Sequence, residues 1–336
     1  MKRPTAHSLI VAGDFPQGRP MIRVSLLTLA IACLACAPSD HTPTVPAQAA
    51  ALDAGRTTFT LIDVPGATGT FPLDISSTGA VVGRFGSGGL THGFLRSPEG
   101  DFTTIDYPGA LFTIAAGINS EGDIAGWYAM AAVPGPLTER HAFLLRNGEF
   151  TPFDPDGSKF TNPLGINASG DIVGRFCTAL PCGRPGVGNY HGFLWHNGEI
   201  TTFDVPGSRE TNAWKINARG EIIGGFRTDG GPNRLFILRG SDFITFDLPG
   251  VVPVAQDNGG INARGDVVGV YCDLSPCDIS NAGTHGFVLR QGELTTIDYP
   301  GARSTSILGI NARGELAGAF TDAAGRSHGF LLSRDD

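Results

Sequence analysis

Hydrophobic and polar positions alternate in short bursts along most of this chain. Apolar runs rich in Val, Ile, Leu and Phe are cut by Gly, Pro and Asn before any of them reaches helical length. One stretch shows the plan. Four runs, a (Thr161 to Ile166), b (Asp171 to Phe176), c (His191 to His196) and d (Glu199 to Asp204), read as β-strands. The breaks between them carry turn chemistry. Asn167-x-x-Gly170 puts an amide where it can cap a turn and a glycine where φ is positive. Asn197-Gly198 is a hairpin signal. Val205-Pro206-Gly207 suits a type II turn, with Pro second and Gly third.

The plan recurs. Run d ends at Asp63, Asp106, Asp154, Asp204, Asp247 and Asp298, with spacings of 43, 48, 50, 43 and 51 residues. Gly-Ile-Asn-x-x-Gly, with small changes, returns at Asn119, Asn167, Asn217, Asn262 and Asn311, and Ser76 takes the place in the first copy. His-Gly-Phe-Leu, also with small changes, opens run c at His92, His141, His191, His285 and His328, and Arg234 replaces the histidine in the fourth copy. A small sheet of four strands cannot bury both faces alone, but radial stacking packs each face on a neighbour. The expected fold is therefore all-β, a six-bladed β-propeller of four-stranded antiparallel blades. The repeat region opens with a lone d run, Thr58 to Asp63, and closes with a lone c run, His328 to Leu332. The first run can supply the missing strand of the last blade and remove two free edges.

His-Gly-Phe-Leu together with Gly-Ile-Asn-x-x-Gly-Asp-Ile-x-Gly resembles the HAF family of probable extracellular bacterial repeats, over about residues 59 to 333. That resemblance implies an exported protein built of repeated β units. It implies no particular activity, and no catalytic residue carries over.

Composition agrees with the pattern. The chain of 336 residues holds 48 Gly and 23 Pro, which disfavours long helices. It is 41% hydrophobic, enough for a core, and its formal net charge of -8 argues against nucleic acid as a partner. A signal-peptide pattern follows Met21, with Arg23 ahead of the apolar stretch Val24 to Ala35. Residues 1–20 read as an upstream extension, with Met21 as the true start. Cys33-Leu-Ala-Cys36 resembles a lipobox, although Cys33 stands where Leu is usual, so residues 1–36 are expected to direct export and Cys36 to receive lipid. Cleavage at Ala47-Gln-Ala49 without lipid and a retained anchor are the alternatives. Residues 37–56 read as a flexible linker and 57–334 as the propeller domain. The protein is then exported, either lipid-anchored in the cell envelope or secreted.

Cys177/Cys182 and Cys272/Cys277 share the spacing Cys-x4-Cys between runs b and c. Two local disulfides are expected in an oxidising compartment. A shared zinc site would have to bring together copies three and five, which are not neighbours. No cofactor and no metal is expected. Histidines and aspartates that recur in every copy serve a need of every copy. Each His is assigned a backbone or neighbouring-blade hydrogen bond, and each Asp a turn-capping role.

Function is sought in departures from the repeat. Before the repeat Ile of run a stand Gly117, Gly165, Gly260 and Gly309, but Asp74 in copy one and Lys215 in copy four. In a ring of six those copies are opposite, so the two charges are expected to polarise the channel. The alternative pairs each with a neighbour on its own side. Trp214 adjoins Lys215, Arg227 and Arg234 belong to the same copy, and copies two and three add Trp127, Arg140, Arg175 and Tyr190. A Trp with flanking Arg suits stacking on a sugar or holding an anion, and the alternative is blade packing. The b–c and d–a connections vary while the a–b and c–d turns are uniform, so the face of variable loops is the candidate binding surface. The expected function is a monomeric, non-enzymatic binding module for a glycan or a protein, touching the membrane only through its lipid. A lyase or hydrolase at the channel mouth is the alternative.

Overall fold

A computed structural model describes residues 57–131, 135, 137–183, 188–248, 251–254, 259–272 and 283–334, and the structural statements below concern these. The export segment, the linker, Cys36 and Cys277 lie outside them.

The architecture is an all-β propeller with four-stranded antiparallel blades. The third copy forms Phe160–Ile166, Ile172–Cys177, His191–His196 and Glu199–Phe203, hydrogen-bonded in that order. Each bound falls within one residue of runs a to d. The fourth copy repeats the order with Glu210–Ile216, Ile222–Arg227, Asn233–Arg239 and Asp242–Phe246. In the fifth, Val252–Pro253 and Gly259–Ile261 both pair with Val267–Cys272, followed by Thr284–Arg290 and Glu293–Ile297. Copies one and two share an eight-stranded sheet, in which Leu90–Arg96 meets Phe112–Ile118 through one parallel residue pair, Thr91 with Phe112.

The last sheet joins the two ends of the domain. Thr57–Leu61 runs antiparallel to Ser327–Arg334, with Phe59 opposite Leu332 and Leu61 opposite Phe330. Leu316–Thr321 and Ser304–Ile310 complete it. The amide of Gly329 and the Nδ1 of His328 both hydrogen-bond the carboxylate of Asp63, so the seam is side-chain-bonded as well as strand-paired.

The turns form as their residues dictate. Asn167 Oδ1 accepts from the amides of Ser169 and Asp171, at 3.0 and 2.9 Å, and Gly170 takes φ +83°. Asn197 and Gly198 sit at φ +50° and +92°, the positive pair a two-residue hairpin demands. Each copy buries one aromatic ring completely: Phe94, Phe143, Phe193, Phe236, Phe287 and Phe330. These are the Phe of His-Gly-Phe and its variants. A Cβ at Gly174 would stand 2.8 Å from the Phe193 ring and 2.1 Å from the Asn162 carbonyl, which explains the glycine inside run b.

Repeat histidines and repeat aspartates turn out to be partners. Nδ1 of His92, His141 and His191 lies 2.8–2.9 Å from Asp106, Asp154 and Asp204. His285 meets Asp298 and His328 meets Asp63 in the same way. This corrects the expectation of backbone or neighbouring-blade partners for His and of turn capping for Asp. Runs c and d are adjacent and antiparallel, so the first residue of one faces the residue just past the other. Arg234 preserves the arrangement, with Nε and Nη2 at 2.8 and 3.2 Å from Asp247.

Cys177 and Cys182 form one of the expected disulfides, with Cα atoms 6.1 Å apart. Cys272 is disulfide-bonded too.

Candidate functional site

The innermost strands place the site. In five of them the register with the next strand shifts by one residue, between Pro72 and Asp74, Ala115 and Gly117, Pro163 and Gly165, Ala213 and Lys215, and Ile307 and Gly309. A bulge re-aims the side chain it carries. Here the bulged residues are Leu73, Ala116, Leu164, Trp214 and Leu308, and all five line one axial cavity of about 350 Å³. The next position is crowded by backbone. A Cβ on Gly165 would meet the Cα of Lys215 at 2.8 Å, and one on Gly309 the Cα of Asp74 at 2.9 Å. Glycine is required there except where a side chain fills the axis itself.

Asp74 and Lys215 do so, and they meet. Nζ of Lys215 lies 3.0 Å from Oδ2 of Asp74 and donates to the carbonyl of Ala116 at 2.8 Å. The Asp74 carboxylate accepts from the amides of Ile75 and Ile118 as well. Both residues are 8% exposed. Burial pushes the Asp74 carboxyl above its ordinary range and the Lys215 ammonium below its own, and each charge opposes the other's shift. The pair forms a floor. Below it a second recess of about 170 Å³ is ringed by the Asn-x-x-Gly turns, and Lys215 borders both spaces.

Above the floor the wall is copy-specific. The residue after the run-b glycine is Arg84, Trp127, Arg175, Gly225, Val270 and Ala319 in copies one to six. Arg84 stacks over the Phe71 ring at 3.9 Å, and burial holds its guanidinium below its usual range. Arg140 lies between Trp127 and Phe160, at 4.5 and 4.6 Å from the ring centres. The wall supplied by copy six, next to copy one, is small and hydroxylated, with Ser304, Ser306, Thr321 and Ser327. Among the described residues, the buried atoms Asn162 Oδ1 and Trp214 Nε1 on this lining have no hydrogen-bond partner.

The predicted site residues divide into three groups. Trp127, Trp214 and Lys215 line the axial cavity, and Asp74 meets Lys215 from the recess below it. Arg175 and Arg227 line a side cavity of about 190 Å³ between copies three and four, where Arg175 donates to Asn212 and Arg227 to Asn233. Arg234 is at the rim with Asp247, away from both. Sequence reasoning missed Arg84, Phe71 and Asn162, although lining up the residue after the run-b glycine would have exposed Arg84. Among the described residues no group of His, Cys, Asp or Glu is arranged to hold a metal ion, and no helix is long and apolar enough to cross a membrane.

No family model and no curated protein matches this sequence. Solved structures do match its fold. A TolB from Agrobacterium tumefaciens is 14% identical with a TM-score of 0.52, over 84% of this chain and 98% of that one. A gluconolactonase from Xanthomonas campestris is 11% identical with a TM-score of 0.50, over 83% and 89%. The β-propeller domain of the trilobed protease from Pyrococcus furiosus is 11% identical with a TM-score of 0.46, over 79% and 97%. At such identities the likeness concerns the fold alone.

Proposed function

We propose that this chain is an exported six-bladed propeller that binds a glycan or protein ligand at its axial cavity and does not transform it. Six blades follow if the eight-stranded sheet is two four-stranded units touching at one residue pair. The sixfold sequence repeat, and its resemblance to HAF repeats, favour that count. Export is supported by the apolar segment after Met21 and by the Cys177–Cys182 disulfide. Lipid at Cys36 would tether the domain through residues 37–56 as a monomer, with no cofactor.

One observation carries the binding assignment. Residues shared by all copies are spent on the scaffold: the described repeat His pair with Asp, and the repeat Asn cap turns. Residues peculiar to single copies, Trp127, Arg140, Trp214 and Lys215, converge on one cavity within the 300–1,000 Å³ range of ligand pockets. The test is a glycan and protein array probed with the full chain and with Trp127→Ala. Saturable binding lost in the variant is the expected result, and an array without hits would reject the assignment.

An enzyme is the second possibility, and Asp74 favours it. A carboxyl with a raised pKa at the base of a cavity, drawn from a non-repeated position, is the kind of group a lyase or hydrolase recruits. Turnover of an array hit, abolished in Asp74→Asn, would establish it.

A further inference from the structure

The axial cavity has a charge of its own that the chain as a whole does not share. The protein carries a net charge of -8, yet the described lining of the cavity holds Arg84, Arg140 and Lys215 and no Asp or Glu. Lys215 is neutralised by Asp74 beneath it. Arg84 has no ion-pair partner among the described residues. Its planar guanidinium is half-buried and fixed over Phe71. Arg140 is fixed between two rings. Stacked guanidinium groups are held flat, and a flat fork matches the two oxygens of a carboxylate. Burial lowers the Arg84 pKa, and an anion placed against the guanidinium would raise it again.

The rest of the cavity describes the body of the ligand. Asn162 Oδ1 is a buried acceptor without a donor, and Trp214 Nε1 a buried donor without an acceptor. Their residues are 2% and 3% exposed. Leaving such atoms unpaired costs about 1–3 kcal/mol each, and a hydroxylated ligand relieves both. Ser304, Ser306, Thr321 and Ser327 line the same space. An apolar carboxylate would leave this wall unused. A cavity of about 350 Å³ holds one or two sugar rings. The Asp74–Lys215 pair stands between this cavity and the recess below it, and a sugar polymer would then enter by its end.

We propose that the axial cavity binds an acidic sugar, a uronate, with its carboxylate against Arg84 and Arg140 and its hydroxyls toward Asn162, Trp214 and the serine wall. This rests on the axial site proposed above and names its ligand class. A free uronate and the uronate terminus of a polysaccharide present the same chemistry.

Isothermal titration of the full chain with galacturonate, digalacturonate, polygalacturonate and galactose tests it. Both small acids should bind one per chain, and galactose at least tenfold more weakly. Polygalacturonate should saturate by its chain ends, not by its residues, if the terminus is a ligand. Saturation by residues would overturn end-on entry. Arg84→Gln should weaken the acids at least tenfold, and Ser306→Ala several-fold, with unchanged melting temperatures. Arg140→Gln serves as the second variant should Arg84→Gln fail to fold. Equal affinity for galactose, unaltered binding in Arg84→Gln, or no heat with any acid would overturn the proposal. Absence of uronate binding beside a different hit on the array would leave the axial site standing with another ligand.

Discussion

Two of the kinds of charge pair in this molecule differ sharply. At the rim, five histidines and Arg234 each meet the Asp at the end of run d, and most of these groups remain partly in water. At the axis a single lysine meets a single aspartate, with side chains 10% and 12% exposed. The rim arrangement recurs because every blade needs its third and fourth strands registered, and a surface pair contributes only about 0–1 kcal/mol. The axial pair exists once because two copies abandoned glycine at the position where backbones crowd together. A lost partner there strands a charge out of water. Among the charge pairs, therefore, the repeated ones can be lost singly at small cost, and the exception is where one substitution matters most.

The sharpest way to break this contrast is Lys215→Met. It leaves the Asp74 carboxylate buried beside an apolar chain and should cost about 3–5 kcal/mol in urea unfolding. The double variant Asp74→Leu/Lys215→Met should recover most of that loss. An equal loss in single and double variants would show that the site needs volume and not charge balance. Gly165→Ala comes next. Its Cβ would press on the Lys215 Cα from 2.8 Å, so the innermost strands must separate, at about 1–3 kcal/mol.

The seam gives a smaller, pH-dependent effect. Hydrogen bonding to Asp63, aided by Asp322 and opposed by burial, raises the His328 pKa above its ordinary 6.5. The folded state thus holds this proton more tightly than the unfolded chain. Its stabilisation is complete below pH 6.5 and fades as pH rises through the higher folded value. Melting temperature should fall over that interval, and Asp63→Asn should flatten the fall. Smallest of all is Arg234→His, which restores the repeat residue. It should leave the unfolding midpoint unchanged, because either side chain reaches Asp247 and packs against the Phe226 ring.

Much of this was legible in the residues. Strand bounds followed from run length and turn chemistry because those are local, and the Phe of His-Gly-Phe announced the core by recurring. Asp74 and Lys215 stood out because each replaced a glycine. Their direct contact was not legible, since it depends on how narrow the axis is. That width is set by backbones approaching at Gly117, Gly165 and Gly309. The His–Asp pairing escaped for a different reason. The two motifs are separated by 13 or 14 residues, and only the antiparallel c–d register brings them together. Arg84 was hidden in a variable position whose direction depends on the strand's alternation.

The division between scaffold and exceptions is tested most directly by pairing two substitutions in one titration series. His92→Asn removes a rim pair, and Arg84→Gln changes a neighbour in the same copy that faces the axis. Galacturonate affinity should be unchanged in His92→Asn and at least tenfold weaker in Arg84→Gln, with both proteins folded. Equal weakening in both, or an effect confined to His92→Asn, would contradict the assignment of binding to the copy-specific residues.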